Sequence, residues 1–430
     1  MSTMNQLGKY QPYQQYEFID VPWYKQKPTH WLSVKFKHSF NEKRKVNNPN
    51  LPAGAISFGE VIYKDEGKLS QDTKDSYQEV LAGEFLINPL NLNFDLKSLR
   101  TALSTIDVVV STGYIVLTME NKLNPRFSRW LLQQFDVSHM KTLGSGVRQT
   151  INYNDIGNSL FCLPTPEEQR TIAAFLDYET ARIDQLIAKQ QQLIELLKEK
   201  RQAVISHAVK PRPNEKHVKI SYVIDLLTGF PFPSSEFKQS GENIIRLLRG
   251  VNVGVDQVKW DDTVFWDSQD CDSLKGYHLQ CGDIVFGMDR PWISNGARVA
   301  EISNDDMPCL LLQRVARIRA NHLAYQSFIK LCLASNEFRA YVEADLTGVS
   351  VPHISPEQIK NFIIRDLCYE EQVSVTTDAL NKLEKLRIIE QTALNAIELI
   401  QERRTALISA AVTGKIDLRG WQPPKSEVAA

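Results

Sequence analysis

Two stretches of this chain repeat apolar residues at helical spacing for longer than an ordinary domain helix needs. In the first, Leu176, Ile183, Gln190, Leu197 and Val204 fall seven apart. Leu186 and Leu193 make a second row, and Ile187 and Ile194 widen the stripe. In the second, Leu386, Ala393, Ile400 and Leu407 recur every seven residues, flanked by Leu383, Ile389, Ala396 and Ile397. Thr165, Pro166 and Glu168 supply a capping hydroxyl, a proline at the first helical position and a carboxylate three residues on. Pro211 and Pro213 stop the helix. About 45 residues span roughly 65 Å. A stripe sustained over several heptads predicts coiled-coil pairing. The other helix of the same chain is the expected partner, with homodimerisation as the alternative. Ala393 and Ala396 favour close backbone approach, and Gln190 and Lys200 interrupt the first stripe and help to fix register.

These stretches also repeat in sequence. Residues 201–210 (RQAVISHAVK) match 404–413 (RTALISAAVT) at an offset of 203, which also aligns Glu167-Glu168-Gln169 with Glu370-Glu371-Gln372 and Ile156 with Ile359. Upstream, each half differs. Only a faint echo joins Tyr77, Gly83, Glu84 and Phe85 to Tyr277, Gly282, Asp283 and Ile284. Residues 1–164 and 211–368 carry short β-type runs, at 107–111, 114–118 and 283–286, separated by Gly and Asn turns. The pattern predicts two small α+β modules that differ, between scaffold helices that agree.

Composition narrows the class. The 430 residues are 43% hydrophobic and 23% charged, with a net charge of −1, which suits a globular protein of two to four domains. Neither a secretory signal nor an apolar run of about 18 residues is readable. Six cysteines without a CxxC pair read as reduced thiols. The first module carries +3, the first helix 0, the second module −3 and the remainder −1. Basic residues are clustered, at Lys43-Arg44-Lys45, at Arg126, Arg129 and Lys141, and at Arg314, Arg317 and Arg319. Phosphate-loop, methyl-donor and HExxH patterns are missing, and Asp65-Glu66-Gly67-Lys68 reads as a solvated turn. No catalytic or metal-ligating residue is therefore expected.

The paired Glu-Glu-Gln starts and the Arg-x-Ala-(Val/Leu)-Ile-Ser-x-Ala-Val ends carry a resemblance. So do the closing Thr413-Gly-Lys-Ile-Asp417, the phrase from Gly229 to Phe237, Gly282-Asp-Ile-Val-Phe-Gly-Met288 and Val351-Pro-His-Ile-Ser355. The chain resembles the specificity subunit of a type I restriction–modification enzyme. That resemblance implies an α+β chain in which two α/β target-recognition domains are separated by two long antiparallel coiled-coil helices, in a pseudo-twofold internal repeat. The expected boundaries are 1–164, 165–210, 211–368, 369–416 and a tail at 417–430. Each module is expected to read one half of a split double-stranded DNA target. Two methyltransferase subunits and motor-nuclease subunits are the implied partners. S-adenosylmethionine, ATP and Mg belong to those partners, and the setting is cytoplasmic, bacterial or archaeal. A modification-only system and a scaffold that does not bind DNA remain as alternatives.

Base edges are read by Arg, Lys, Asn, Gln, Ser and Thr on loops over a rigid core. Candidates in the first module are Lys43, Arg44, Lys45, Asn88, Arg126, Ser145, Arg148 and Gln149. In the second they are Ser234, Ser235, Arg249, Asn252, Asp289, Arg290, Trp292, Asn295, Gln313, Arg314, Ser350 and His353. Leu176, Ile183, Leu186, Leu193, Leu197, Leu386, Ile389, Ala393, Ile400 and Leu407 are the expected helix-packing and partner-docking residues.

Overall fold

The computed structural model describes residues 10–90, 99–120, 123–144, 150–267, 274–294, 296–344 and 353–424. The two periodic stretches form helices of 44 residues each, Pro166–Val209 and Tyr369–Val412. Two compact units divide the chain within both helices, Met1–Lys189 with Ala396–Ala430, and Gln190–Asn395.

Each unit carries the same four-stranded antiparallel frame. In the first, the order is Phe40–Glu42, Ile115–Met119, Phe85–Ile87 and Thr101–Leu103. In the second, it is Ile224–Thr228, Val315–Ala320, Ile284–Gly287 and Val299–Glu301. A two-stranded ribbon accompanies each frame. Leu32–Lys35 pairs with Leu160–Leu163, and His217–Lys219 pairs with Ile363–Arg365. Short helices complete each layer, Pro125–Phe135 in the first unit, and Gln326–Ala334 with Asn336–Glu343 in the second.

The faint sequence echo marks one turn built twice. Gly83 and Gly282 have φ of +93° and +89°, which a side chain rarely adopts. The Gly83 N–H donates to the Ser104 carbonyl and the Gly282 N–H to the Ile302 carbonyl, each at 2.8 Å. The frames then diverge. Glu60–Tyr63 and Gly54–Ser57 extend the first sheet, while the second unit adds a separate sheet of Val264–Asp267, Ile244–Leu248 and Cys309–Leu311.

Helix starts are tied to their modules. Thr165 and Glu168 form the expected reciprocal cap, with the Thr165 hydroxyl donating to Glu168 Oε2 at 2.9 Å. Gln169 Oε1 accepts the Asn124 N–H at 2.9 Å, and its amide donates to the Pro164 carbonyl. Gln372 repeats this, accepting the Tyr325 N–H at 2.9 Å and donating to the Leu367 carbonyl. The second helix ends at Gly414, with φ +70° and a 2.8 Å bond from the Lys415 N–H to the Ala410 carbonyl.

Within each unit the two helices run antiparallel. In the first, Arg404 pairs with Asp184 at 3.2 Å, while Phe175, nine residues earlier, meets Trp421. Leu176, Ile183 and Leu407 are buried there, with Ile400 packed against them. In the second unit Leu197, Leu386 and Ala393 are buried. Three expected packing residues are not. Leu186 is 45% exposed, Leu193 37% and Ile389 45%. The buried face of the first helix follows Ile183, Ile187, Ile194, Leu197 and Ile205, each separated from the next by one or two helical turns, and leaves the row of Leu186 and Leu193 outward.

Candidate nucleic-acid interface

In the second unit, several candidates meet where the strand Ile284–Gly287 ends. The Met288 N–H donates to the Arg314 carbonyl at 3.0 Å, and the Ile354 N–H to the Met288 carbonyl at 2.9 Å. These bonds clamp three chain segments together. Asp289 then accepts from His353 Nδ1 at 2.7 Å and from Arg314 Nη1 at 3.0 Å. Burial alone would raise the Asp289 carboxyl, but His353 and Arg314 hold it below the usual carboxylate range. Arg290 and Arg314 both occupy left-handed backbone, with φ of +43° and +66°. Such strain in a non-glycine residue clusters at functional sites. Arg314 remains 62% exposed, and Arg290 and Gln313 are exposed beside it. Trp292 lies half-buried against Phe338, ring centres 6.1 Å apart.

Other candidates in this unit are elsewhere. Ser234 and Ser235 are exposed in the turn Ser234–Glu236. Arg249 pairs with Asp262 at 2.8 Å. Asn252 is corrected: it is 2% exposed and its amide donates to the Lys259 and Asp262 carbonyls, so it braces a loop and presents nothing outward. Arg317 pairs with Asp225 and Arg319 with Asp283, which neutralises that basic run.

In the first unit the basic cluster at 43–45 is split. Lys43 is held by Glu79 at 3.1 Å and Glu84 at 2.9 Å, Lys45 donates to the Thr112 carbonyl, and Arg44 is exposed. Arg126 pairs with Asp177 on the long helix. Asn88 lies at the end of strand Phe85–Ile87, with Oδ1 accepting the Leu90 N–H at 3.1 Å. Ser145, Arg148, Gln149, Asn295 and Ser350 lie outside the described residues.

Two arginines not chosen from sequence stand at the same place in the two units. Arg100 donates from Nη1 to the Leu90 carbonyl, and Arg298 from Nη1 to the Asp289 carbonyl at 3.0 Å. Burial lowers the pKa of both guanidinium groups. A shared Arg-x-Ala, at Arg100 to Ala102 and Arg298 to Ala300, was the available signal.

Burial pushes the Cys162 and Cys309 thiols up to about 12, and Cys332 higher still, so these cysteines are poor nucleophiles. Among the described residues, no group of three His, Cys, Asp or Glu side chains is placed to hold a metal ion. No helix among them is long and apolar enough to cross a membrane.

No family model matches the chain. It is 23% identical over 385 residues to the type I restriction enzyme MjaVIII specificity subunit of Methanocaldococcus jannaschii, covering 85% of this chain and 87% of that one. The chain is thus similar along most of its length to a type I specificity subunit. It is also 33% identical over 180 residues to the EcoAI specificity subunit of Escherichia coli, 41% of this chain but 30% of that relative's length. The type I specificity-subunit fold recurs in solved structures. The HsdS subunit from Thermoanaerobacter tengcongensis superimposes with a TM-score of 0.52 at 16% identity, over 91% of this chain and 98% of that one. A chain from a structure of the assembly and conformational transition of a type I R-M system reaches 0.69, also at 16% identity, over 91% and 99%.

Proposed function

We propose that this chain is the DNA-recognition subunit of a type I restriction–modification complex, and that residues 1–164 and 211–368 each read one half of an interrupted, asymmetric target. The observation that carries this reading is one sheet frame built twice with unlike side chains at its edge. Two different readers on equivalent frames suit two different half-sites. Residues 165–210 and 369–416 serve as the spacer between them, with 417–430 as a tail. Half-sites about one helical turn apart, ~34 Å, are reachable from one face of the duplex.

The chain directs catalysis without performing it. Two methyltransferase subunits and motor-nuclease subunits supply the chemistry, with S-adenosylmethionine, ATP and Mg bound on them, in the cytoplasm. Leu186, Leu193, Leu196, Ile388 and Ile389 are apolar and exposed on the long helices, which suits subunits docking there. The near-neutral charge fits a reader whose partners share the phosphate contacts.

The test is to exchange residues 211–368 for the corresponding module of a relative and to map genomic methylation. One half of the bipartite motif changes and the other is retained. A change in both halves overturns the reading.

A further inference from the structure

We infer that Arg100 and Arg298 are positioning residues for the reading edges of the two modules, and that these edges are the equivalent strand ends at Asn88 to Leu90 and Gly287 to Asp289. The inference rests on the DNA-reading role proposed above.

The same clamp is assembled twice. The Asn88 N–H donates to the Arg100 carbonyl at 2.8 Å, and the Gly287 N–H to the Arg298 carbonyl at 2.9 Å. Two residues further on, each arginine side chain donates to a main-chain carbonyl, that of Leu90 or Asp289. A third segment closes each edge. The Ile151 N–H donates to the Pro89 carbonyl at 3.2 Å, as the Ile354 N–H does to Met288. The side chains mounted on this frame are unlike: Leu90 and Thr150 in one module, Asp289, Arg290, Arg314 and His353 in the other.

Arg100 is buried and Arg298 half-buried, and a guanidinium taken even partly out of water onto carbonyl oxygens is a costly way to fill space, which an apolar side chain does more cheaply. What the guanidinium adds is direction. Arg298 Nε donates to the Val253 carbonyl at 2.9 Å while Nη1 holds Asp289, so one rigid fork fixes two loops. Arg100, 7% exposed, is fixed through its own N–H, which donates to Asp136 Oδ2 at 2.7 Å. The edge of the second module also concentrates the left-handed Arg290 and Arg314 beside the braced Asp289. A constant support beneath differing tips is the arrangement expected of a reader whose contacts must be held in one geometry.

The experiment places the full chain, carrying Arg298→Met or Arg100→Met, in cells in place of the wild type and maps methylation. Methionine approximates the length of the side chain without its donors. Arg298→Met broadens the motif in one half, with about tenfold lost discrimination at one or more positions, and leaves the other half intact. Arg100→Met broadens the opposite half. A purely structural brace lowers the extent of methylation and leaves the motif unchanged; that outcome, or equal broadening of both halves, overturns the inference. Should Arg298→Met not accumulate, Arg298→Lys decides. Lysine keeps the charge but not the fork, so the same half broadens partially, and an unchanged motif again overturns the inference. If the wild-type chain itself directs no bipartite motif, the parent reading fails, and this inference falls with it.

Discussion

The two long helices begin with the same three residues in different surroundings. At the first, Glu168 is a hub whose side chain is 5% exposed. It accepts from Thr165, from His30 Nε2 at 2.9 Å, from the Tyr13 hydroxyl at 3.0 Å and from Trp31 Nε1 at 3.3 Å. Burial alone would raise its pKa, and the bonds from His30, Thr165 and Trp31 bring it below the usual carboxylate range. At the second, Glu371 is exposed and accepts the Cys368 N–H at 3.0 Å. The neighbouring glutamines, Gln169 and Gln372, do the same work in both units. Within one repeated phrase, the glutamine keeps its task while the glutamate has become structural on one side only.

The largest expected effect tests that asymmetry. Glu168→Ala strands the buried Tyr13 and Trp31 donors and removes the helix cap, costing about 4 kcal/mol of unfolding free energy. Glu371→Ala costs under about 1 kcal/mol, because water replaces what is lost. Denaturant unfolding of the full chain measures both, and equal losses would break the comparison.

A second asymmetry lies in how buried carboxylates are partnered: Asp283 of the second unit pairs with Arg319 and Asp306 accepts from Ser303 and Trp260, whereas Asp136 of the first unit is held chiefly by the Arg100 main chain. Asp136 is 0% exposed, and burial raises its pKa to about 6, against the pull of the Arg100 N–H and guanidinium. A folded-state pKa above the ordinary 3.8 favours the protonated form in the folded chain. Its stabilising contribution is therefore complete below about pH 4 and lost as pH rises through about 6, for about 3 kcal/mol. Asp136→Asn keeps an acceptor for Arg100 and abolishes this slope. Unfolding free energies at several pH values between 4 and 7 give the difference; parallel profiles for wild type and variant would refute the assignment.

The smallest effect is expected on the exposed face of the first helix. Leu193→Asp changes the stability of the isolated chain by under about 1 kcal/mol, since Leu193 is exposed. Leu197→Asp buries a carboxylate and costs several kcal/mol. If Leu193 serves docking, its variant retains the melting temperature and loses partner co-purification.

Legibility followed the range of the interactions. The helices were readable because their periodicity is local, and Thr165 with Glu168 specifies the cap within four residues. The face chosen for burial was not readable, because the rows of Leu186 and Ile187 are equally apolar and the module packed alongside decides between them. Lys43 looked like an open basic patch because Glu79 and Glu84, which engage it, lie about forty residues away. Asp289, Arg314 and His353 were each legible as candidates, though their junction was not. Arg100 and Arg298 correspond at an offset of 198, whereas the helices repeat at 203, so the helix repeat does not align them.

The glutamine ties also have a signature in time. The N–H groups of Asn124 and Tyr325 lie just ahead of short helices, where amides ordinarily exchange with solvent quickly. Here each is held by a glutamine side chain belonging to a long helix. Neither amide can meet water until the module has lifted from its helix or the helix start has frayed. Their deuterium uptake thus times how often each module lets go of its helix, one residue reporting for each unit.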